Sequence, residues 1–432
     1  GDIYALGATL HHLATGSDPR NETPFTFAQR PPRGLNPRIS PALEALILRC
    51  VNYAPADRFA SVNDVRDALQ QVTEAALART LAAVAALPPP PTQVQPASAK
   101  APARPCGLPS ARERIDWVVT TDDEVRGSAS HAGGAVYVGS YDHHVYAIDE
   151  IDGSVRWRFE AGRGVVSEPL AASELLIFGS EDHNVYAITR QHGCLVWSFR
   201  TTMPVRSSPR GDDTSCFVGS DDGFLYRLDR ARGRVLWHHR TWGPVRSTPL
   251  VTDDQVLFGS DDGHVYALAR DTGQLRWRQQ CGAAVVASPV QLDRLLIVGA
   301  MDGTVRAITL DKGRVSWTMA TGKAVIATAA VAGQTVYVAS ANGSLYAING
   351  ANGRVVWESS LCRQITSTPS IDDEYLYVGG ADGVLRCLDR SQGDVLWQVE
   401  TERPIVARPL VSPEHIIVGS LDGRVYGMRR GS

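Results

Sequence analysis

Apolar and polar positions follow two rhythms along the chain. In residues 1 to about 87 the rhythm is helical. Leu43, Leu46, Ile47 and Cys50 recur at i, i+3, i+4 and i+7, which places them on one face of a helix over Ser40 to Val51. Asp2 to Gly16 reads as an apolar helix ended by Gly16, and a third helix starts near Ser61 with Val62, Val65 and Leu69. Apolar residues that would extend it continue to Leu87. From about 111 to 430 the rhythm is that of short strands, such as VVASPV, LLIVGA, TVRAIT and VSWTM, with glycine-containing turns between them. Residues 88 to 110 are rich in Pro, Ala and Ser. They cannot bury a core and predict an extended linker.

The strand-like part is periodic. Trp117, Trp157, Trp197, Trp237, Trp277, Trp317, Trp357 and Trp397 recur every 40 residues, and only Trp242 falls outside the series. Gly139, Gly179, Gly219, Gly259, Gly299, Ala339, Gly379 and Gly419 form a second column. Asp142, Asp182, Asp222, Asp262, Asp302, Asn342, Asp382 and Asp422 form a third, read as turn-formers that bond their own backbone. Four short strands per 40 residues make one blade of a β-propeller. The Trp117 strand follows the linker with no partner strands before it, and the last repeat stops at RVYGM without a Trp strand. Pairing the two ends removes both exposed edges. The predicted fold class is therefore mainly β: an eight-bladed propeller over 111–432, closed by its N- and C-terminal strands and preceded by an α-helical segment over 1–87. The tryptophans are read as structural, covering the gaps between blades.

Composition narrows the function classes. The 432 residues are 44% hydrophobic and 21% charged, with a net charge of −3. The helical segment is neutral, the linker carries Lys100 and Arg104, and the repeats have 33 basic against 38 acidic residues. No basic block suits nucleic acid. No apolar run reaches the roughly 18–20 residues that span a bilayer. Seven dispersed cysteines without a CxxC pair read as reduced, buried thiols, and the expected compartment is the cytoplasm.

Two resemblances follow from these motifs. The repeat Asp-Gly-x-Val-Tyr-Ala-Leu-x-x-x-x-Gly-x-x-x-Trp, as at Asp262 to Trp277, resembles the pyrroloquinoline quinone (PQQ)-type propeller repeat. Quinoprotein alcohol dehydrogenases share it with the lipoprotein scaffold of outer-membrane β-barrel assembly. For the enzymes the resemblance implies an adjacent Cys-Cys pair, a Ca²⁺ site and a catalytic Asp on long insertions. This chain has no adjacent cysteines and no insertions between repeats, so neither the quinone nor a metal is expected.

DIYALGATLHHLATG and PADRFAS, in that order, resemble the last third of a serine/threonine protein kinase. The resemblance implies that Asp2 holds the catalytic-loop backbone and that Arg58 pairs with a glutamate of the activation segment. Both partners would lie upstream of Gly1. The Gly-rich loop, the β3 lysine, the HRD-type loop and DFG are all missing. The chain is read as starting inside a kinase that would use ATP and Mg²⁺, with no catalysis of its own. Without the rest of the lobe, Leu6 and Leu10 are expected to be bare.

The candidate chemistry lies on the inner strands. One inward column is uniformly β-branched, from Val125 and Val165 to Ile365 and Ile405, and reads as packing. The next holds Arg126, Arg206 and Arg246 on blades 1, 3 and 4, and the column two residues on holds Glu168 and Arg408. Together they form either an anion site at one channel mouth or an Arg–Glu network that neutralises the channel. His143, His144 and His183 in the first two hairpin turns are read as solvated turn residues rather than metal ligands. Three functions compete: a regulatory propeller that binds a protein or small ligand for its kinase, a quinoprotein oxidoreductase, and an envelope-assembly scaffold. The first is favoured.

Overall fold

The computed structural model describes residues 2–15, 31–36, 39–52, 54–72 and 114–430. The predicted linker lies outside them. The chain falls into two compact units, Gly1–Ala103 and Arg104–Ser432.

In the first unit, helices Asp2–Thr15 and Pro41–Cys50, the short helix Pro32–Leu35 and a helix over 62–72 surround Leu46, Cys50 and Val65. Ser40 caps its helix, its Oγ accepting from the Leu43 N–H at 3.2 Å. Ser61 and Asp64 cap the last helix reciprocally at 2.8 and 3.2 Å. The expectation for Leu6 and Leu10 is corrected: both are half-buried against this cluster, and Leu13 is the bare residue, 75% exposed. The cause is the close crossing at Gly7, where an added Cβ would lie 3.1 Å from the Cys50 carbonyl carbon.

The second unit is a ring of eight four-stranded antiparallel sheets. Blade 1 comprises Ser130–Ala132, Ala135–Gly139, His144–Asp149 and Val155–Glu160, from the axis outward. Each later blade repeats this plan. In blade 8, Leu410–Val411, His415–Ser420 and Arg424–Arg429 are completed by Ile115–Thr120 from the other end of the repeats. The register runs Trp117 opposite Gly427 to Thr120 opposite Arg424.

The innermost strands are shorter than predicted. VVASPV pairs within its own blade only from Val290 onward, in Val290–Leu292. The residues before it bond across the blade gap instead. Seven amides of the β-branched column, among them Val125, Val165 and Val285, donate to the preceding blade at 3.0–3.1 Å, as Val285 does to Ser260. This explains the glycine column. A Cβ on Gly139 would lie 2.5 Å from Val165 Cγ1 and 2.6 Å from the Val165 carbonyl oxygen. Blade 6 carries Ala339 there, and the matching bond from Ile365 N–H to Ser340 is not formed among the described residues.

The column tryptophans link neighbours further out. Seven indole N–H groups donate to a backbone carbonyl 33 residues on, in the next blade, at 2.8–3.3 Å. The glycine of the turn between the third and fourth strands of that blade lies on the ring, with an added Cβ on Gly153 only 2.7 Å from Trp117. Trp397 has no such turn to meet. The buried Arg114 guanidinium covers it instead, 4.7 Å from the ring centroid.

The Asp column does more than shape turns. Asp142 accepts from the His144 amide, from the Asp122 amide of the incoming loop and from the Tyr146 hydroxyl, at 2.6–3.0 Å. In blades 5 and 7 an arginine replaces the tyrosine. Burial raises the Asp302 and Asp382 carboxyls, but the Arg306 and Arg386 guanidiniums, together with hydrogen bonds from Thr304 and the Val384 amide, hold both below the usual range. A carboxyl depressed by folding adds stability above its unfolded value of about 3.9 and loses it as pH falls through the folded value. The denaturation midpoint is thus expected to fall as pH drops from about 5 toward 2. Asp302→Asn with Asp382→Asn should flatten that slope, as read by urea titration across the range.

Candidate functional site

The inner strands enclose an axial cavity of about 690 Å³. A girdle of hydroxyls surrounds it: Ser128, Ser208, Thr248, Ser288, Thr328 and Thr368. Five of these oxygens accept a backbone N–H from the blade before, at 2.8–3.2 Å, the fifth being Ser128 Oγ, which accepts from Arg408 N–H across the closure. The 40-residue period thus becomes a set of bonds between equivalent positions of neighbouring blades.

Glu168 and Arg408 replace hydroxyls in this girdle, and the structure brings them together across the small Ser128. Arg408 Nη2 donates to Glu168 Oε1 at 2.9 Å. The other oxygen, Oε2, accepts from Arg210 Nη2 at 2.9 Å. One carboxylate therefore bridges two guanidiniums. Sequence reading missed Arg210, although it is the only charged residue in its column, aligned with Leu170, Leu250 and Leu410.

Arg126, Arg206 and Arg246 belong to a second layer, nearer the mouth. Arg206 pairs with Glu181 at 2.8 Å and also with Asp221. Arg246 reaches Asp221 at 2.9 Å and Asp261 at 3.0 Å. The hydrogen bond to Asp221 raises the Arg246 pKa. Burial raises the Asp261 carboxyl against the pull of Arg246. Arg126 bonds Glu124 at 2.8 Å and lies 4.8 Å from the Tyr141 ring, whose hydroxyl donates to Glu181 at 3.2 Å. A continuous ladder thus runs over blades 1–4.

The single site over all five residues is corrected. Glu168 touches neither Arg126 nor Arg206, because Arg126 is drawn to Glu124 and Arg206 to the turn carboxylates Glu181 and Asp221. The signal for these partners was the position just before the Asp column, acidic in blades 2–4 and apolar at Met301, Ala341 and Leu421.

The other sequence candidates separate. His143 and His183 occupy positive φ, both 74°, where later blades have glycine. The His144 ring faces the Asp142 carbonyl at 2.9 Å. Arg58 donates to the Asn52 carbonyl at 2.7 Å and stacks on Tyr4 at 5.0 Å. Asp2 begins the first helix, and its side chain lies outside the described residues. Cys50, Cys216, Cys281 and Cys387 are buried, but Cys194 is exposed and Cys362 half-buried, so the all-buried reading is corrected. Burial pushes the Cys216 thiol up to about 12. Trp242, outside the column, is 83% exposed on a loop at the mouth face.

The residues do not fit pyrroloquinoline quinone as the dehydrogenases hold it. Hydroxyls and the Arg–Glu–Arg bridge take the axial positions, and no two cysteines are adjacent. No cluster of three or more His, Cys, Asp or Glu suited to a metal occurs among the described residues. No helix among them is long and apolar enough to cross a membrane.

Eight closed blades with one indole each around an open axis define a PQQ-type repeat propeller. More particularly, the chain belongs to the family described as outer membrane protein assembly factor BamB, whose profile matches residues 111–212, 193–273, 221–368 and 362–431. The crystal structure of BamB from Moraxella catarrhalis superposes with a TM-score of 0.66 at 19% identity, over 73% of this chain and 99% of that one. A europium-containing methanol dehydrogenase superposes at 0.65 and 14% identity, over 73% and 88%. At these identities the likeness is one of fold. The N-terminal end is similar to serine/threonine-protein kinases. Pkn1 of Myxococcus xanthus is 40% identical over 77 residues, covering 16% of this chain and 11% of that one. Pkn3 of the same organism is 41% identical over 81 residues, covering 16% and 15%. The chain spans only 11–15% of the length of the curated kinases it matches. It therefore joins a kinase-like stretch to a PQQ-like propeller.

Proposed function

We propose that the propeller is a regulatory binding module of a serine/threonine protein kinase, working with a kinase domain that uses ATP and Mg²⁺. One observation carries the reading: a kinase-like stretch shares a chain with a ring whose axial cavity is polar and open. Propellers host unrelated activities, so function is argued from the site and not from the fold. The site offers donors and charge for binding, without a paired nucleophile and base. Kinase output would respond to what the ring holds, through a difference in affinity between kinase states.

The test compares the whole kinase with a version lacking residues 111–432. Autophosphorylation and substrate phosphorylation are expected to change at least severalfold when the ring is removed. Identical rates and identical substrate choice would overturn the proposal.

A further inference from the structure

We infer that the axial cavity binds a small oxyanion with several further acceptor oxygens, held between Arg210 and Arg408. The inference rests on the binding-module reading and names the ligand of that same site.

The first ground is the direction of the hydrogen bonds. Ser128, Ser208, Ser288, Thr328 and Thr368 each spend an oxygen lone pair on a backbone N–H. Their O–H groups have no protein acceptor among the described residues, and Thr248 Oγ1 makes no bond at all. A hydroxyl can accept and donate at once. Once these amides have oriented the oxygens, each hydroxyl keeps its O–H free to donate into the cavity, beside one remaining lone pair. Such a set of hydroxyls suits a ligand rich in acceptor oxygens.

The second ground is charge. Two guanidiniums share one carboxylate in the cavity wall, which leaves one positive charge over. Among the described residues Arg408 uses only Nη2, and Arg210 uses Nη1, on the Pro209 carbonyl, and Nη2. Spare N–H groups therefore remain on both. The mouth arginines differ, because Arg206 and Arg246 share three carboxylates, Glu181, Asp221 and Asp261. An anion entering the ring meets the uncompensated pair and not the ladder. Glu168 holds the two guanidiniums at one spacing, so a carboxylate or phosphate group finds its donors already placed.

The experiment uses the full 432-residue chain and calorimetric titration with three probes: gluconate, inorganic phosphate and the neutral polyol sorbitol. Gluconate or phosphate is expected to bind and sorbitol not. Arg408→Gln should weaken the anion at least tenfold, and Arg210→Gln likewise. Glu168→Gln, which removes the competing carboxylate, should tighten it severalfold. Thr248→Val removes one donor without breaking any of the amide bonds to the hydroxyls and should weaken binding by a smaller factor. Arg206→Gln, in the mouth ladder, should leave it unchanged. Binding of gluconate alone assigns a carboxylate ligand, and binding of phosphate alone assigns a phosphate ester.

The inference falls if neither anion gives heat at millimolar concentration, or if sorbitol binds as well. It also falls if Arg206→Gln weakens binding as much as Arg408→Gln. If Arg408→Gln does not fold, as judged by its circular dichroism, Arg408→Lys and Thr248→Val decide the same point. An anion-free ring in a kinase that still changes output when the propeller is deleted would sink this inference and leave the regulatory reading standing.

Discussion

Trp117→Ala is expected to cost more stability than the same change at any other column tryptophan. Removing a buried Trp ring typically costs roughly 3–5 kcal/mol through lost burial and the cavity left behind. Trp117 is buried, and its indole also holds the Glu150 carbonyl at 2.9 Å. Its particular weight comes from position. It stands on the strand that closes blade 8, opposite Gly427, and the ring has one such closure in sequence. Loosening Ile115–Thr120 frees two strand edges and breaks the wall between first and last blades. Trp237→Ala, on a strand joined to its own blade by a turn, is the control. Urea midpoints and melting temperatures of the two variants check the expectation. Equal losses would mean that the closing strand bears no greater share than an ordinary one.

Gly139→Ala should be a damaging one-carbon addition at the wall between two blades. The new methyl would meet the Val165 carbonyl oxygen at 2.6 Å, and a backbone atom cannot swing aside as a side chain can. Overpacking of this kind costs typically 1–3 kcal/mol, and here the Val165–Ser140 bond between blades is strained with it. The converse change is informative. Ala339→Gly is expected to let Ile365 approach Ser340 and form the bond that blade 6 lacks. Amide exchange at Ile365 should slow in that variant, while exchange at Val165 should quicken in Gly139→Ala. A Gly139→Ala protein as stable as the parent would show that blades can part without penalty.

These two cases show where the chain explains itself. The indole and glycine columns carry the blade count and the closure because each recurs at a position where the geometry admits few residue types. The innermost strands were drawn too long at 285–289 because an extended, apolar run looks the same whether it bonds within its blade or across the gap. Val285 does the second. The site was harder to see for a related reason. Arg206 and Arg246 stand out in their column, yet their partner choice depends on the turn carboxylates Glu181, Asp221 and Asp261, which lie 15 to 25 positions away in sequence. Glu168 and Arg408 are 240 positions apart, and only the closure of the ring makes them neighbours. A period reveals what is common to the blades, whereas the cavity is built from what differs among them.

The closing strand also sets a timetable for synthesis. Ile115–Thr120 leaves the ribosome about 300 residues before its partner Arg424–Arg429. At typical rates of about 5–20 residues per second, that is a wait on the order of 15–60 s. During it the strand carrying Trp117 has no sheet to join, and each finished blade offers its successor a provisional wall. The ring can therefore be whole only when translation is nearly done. A nascent chain cut short before Arg424 would keep an unfilled place in its last blade, open to a strand from another copy.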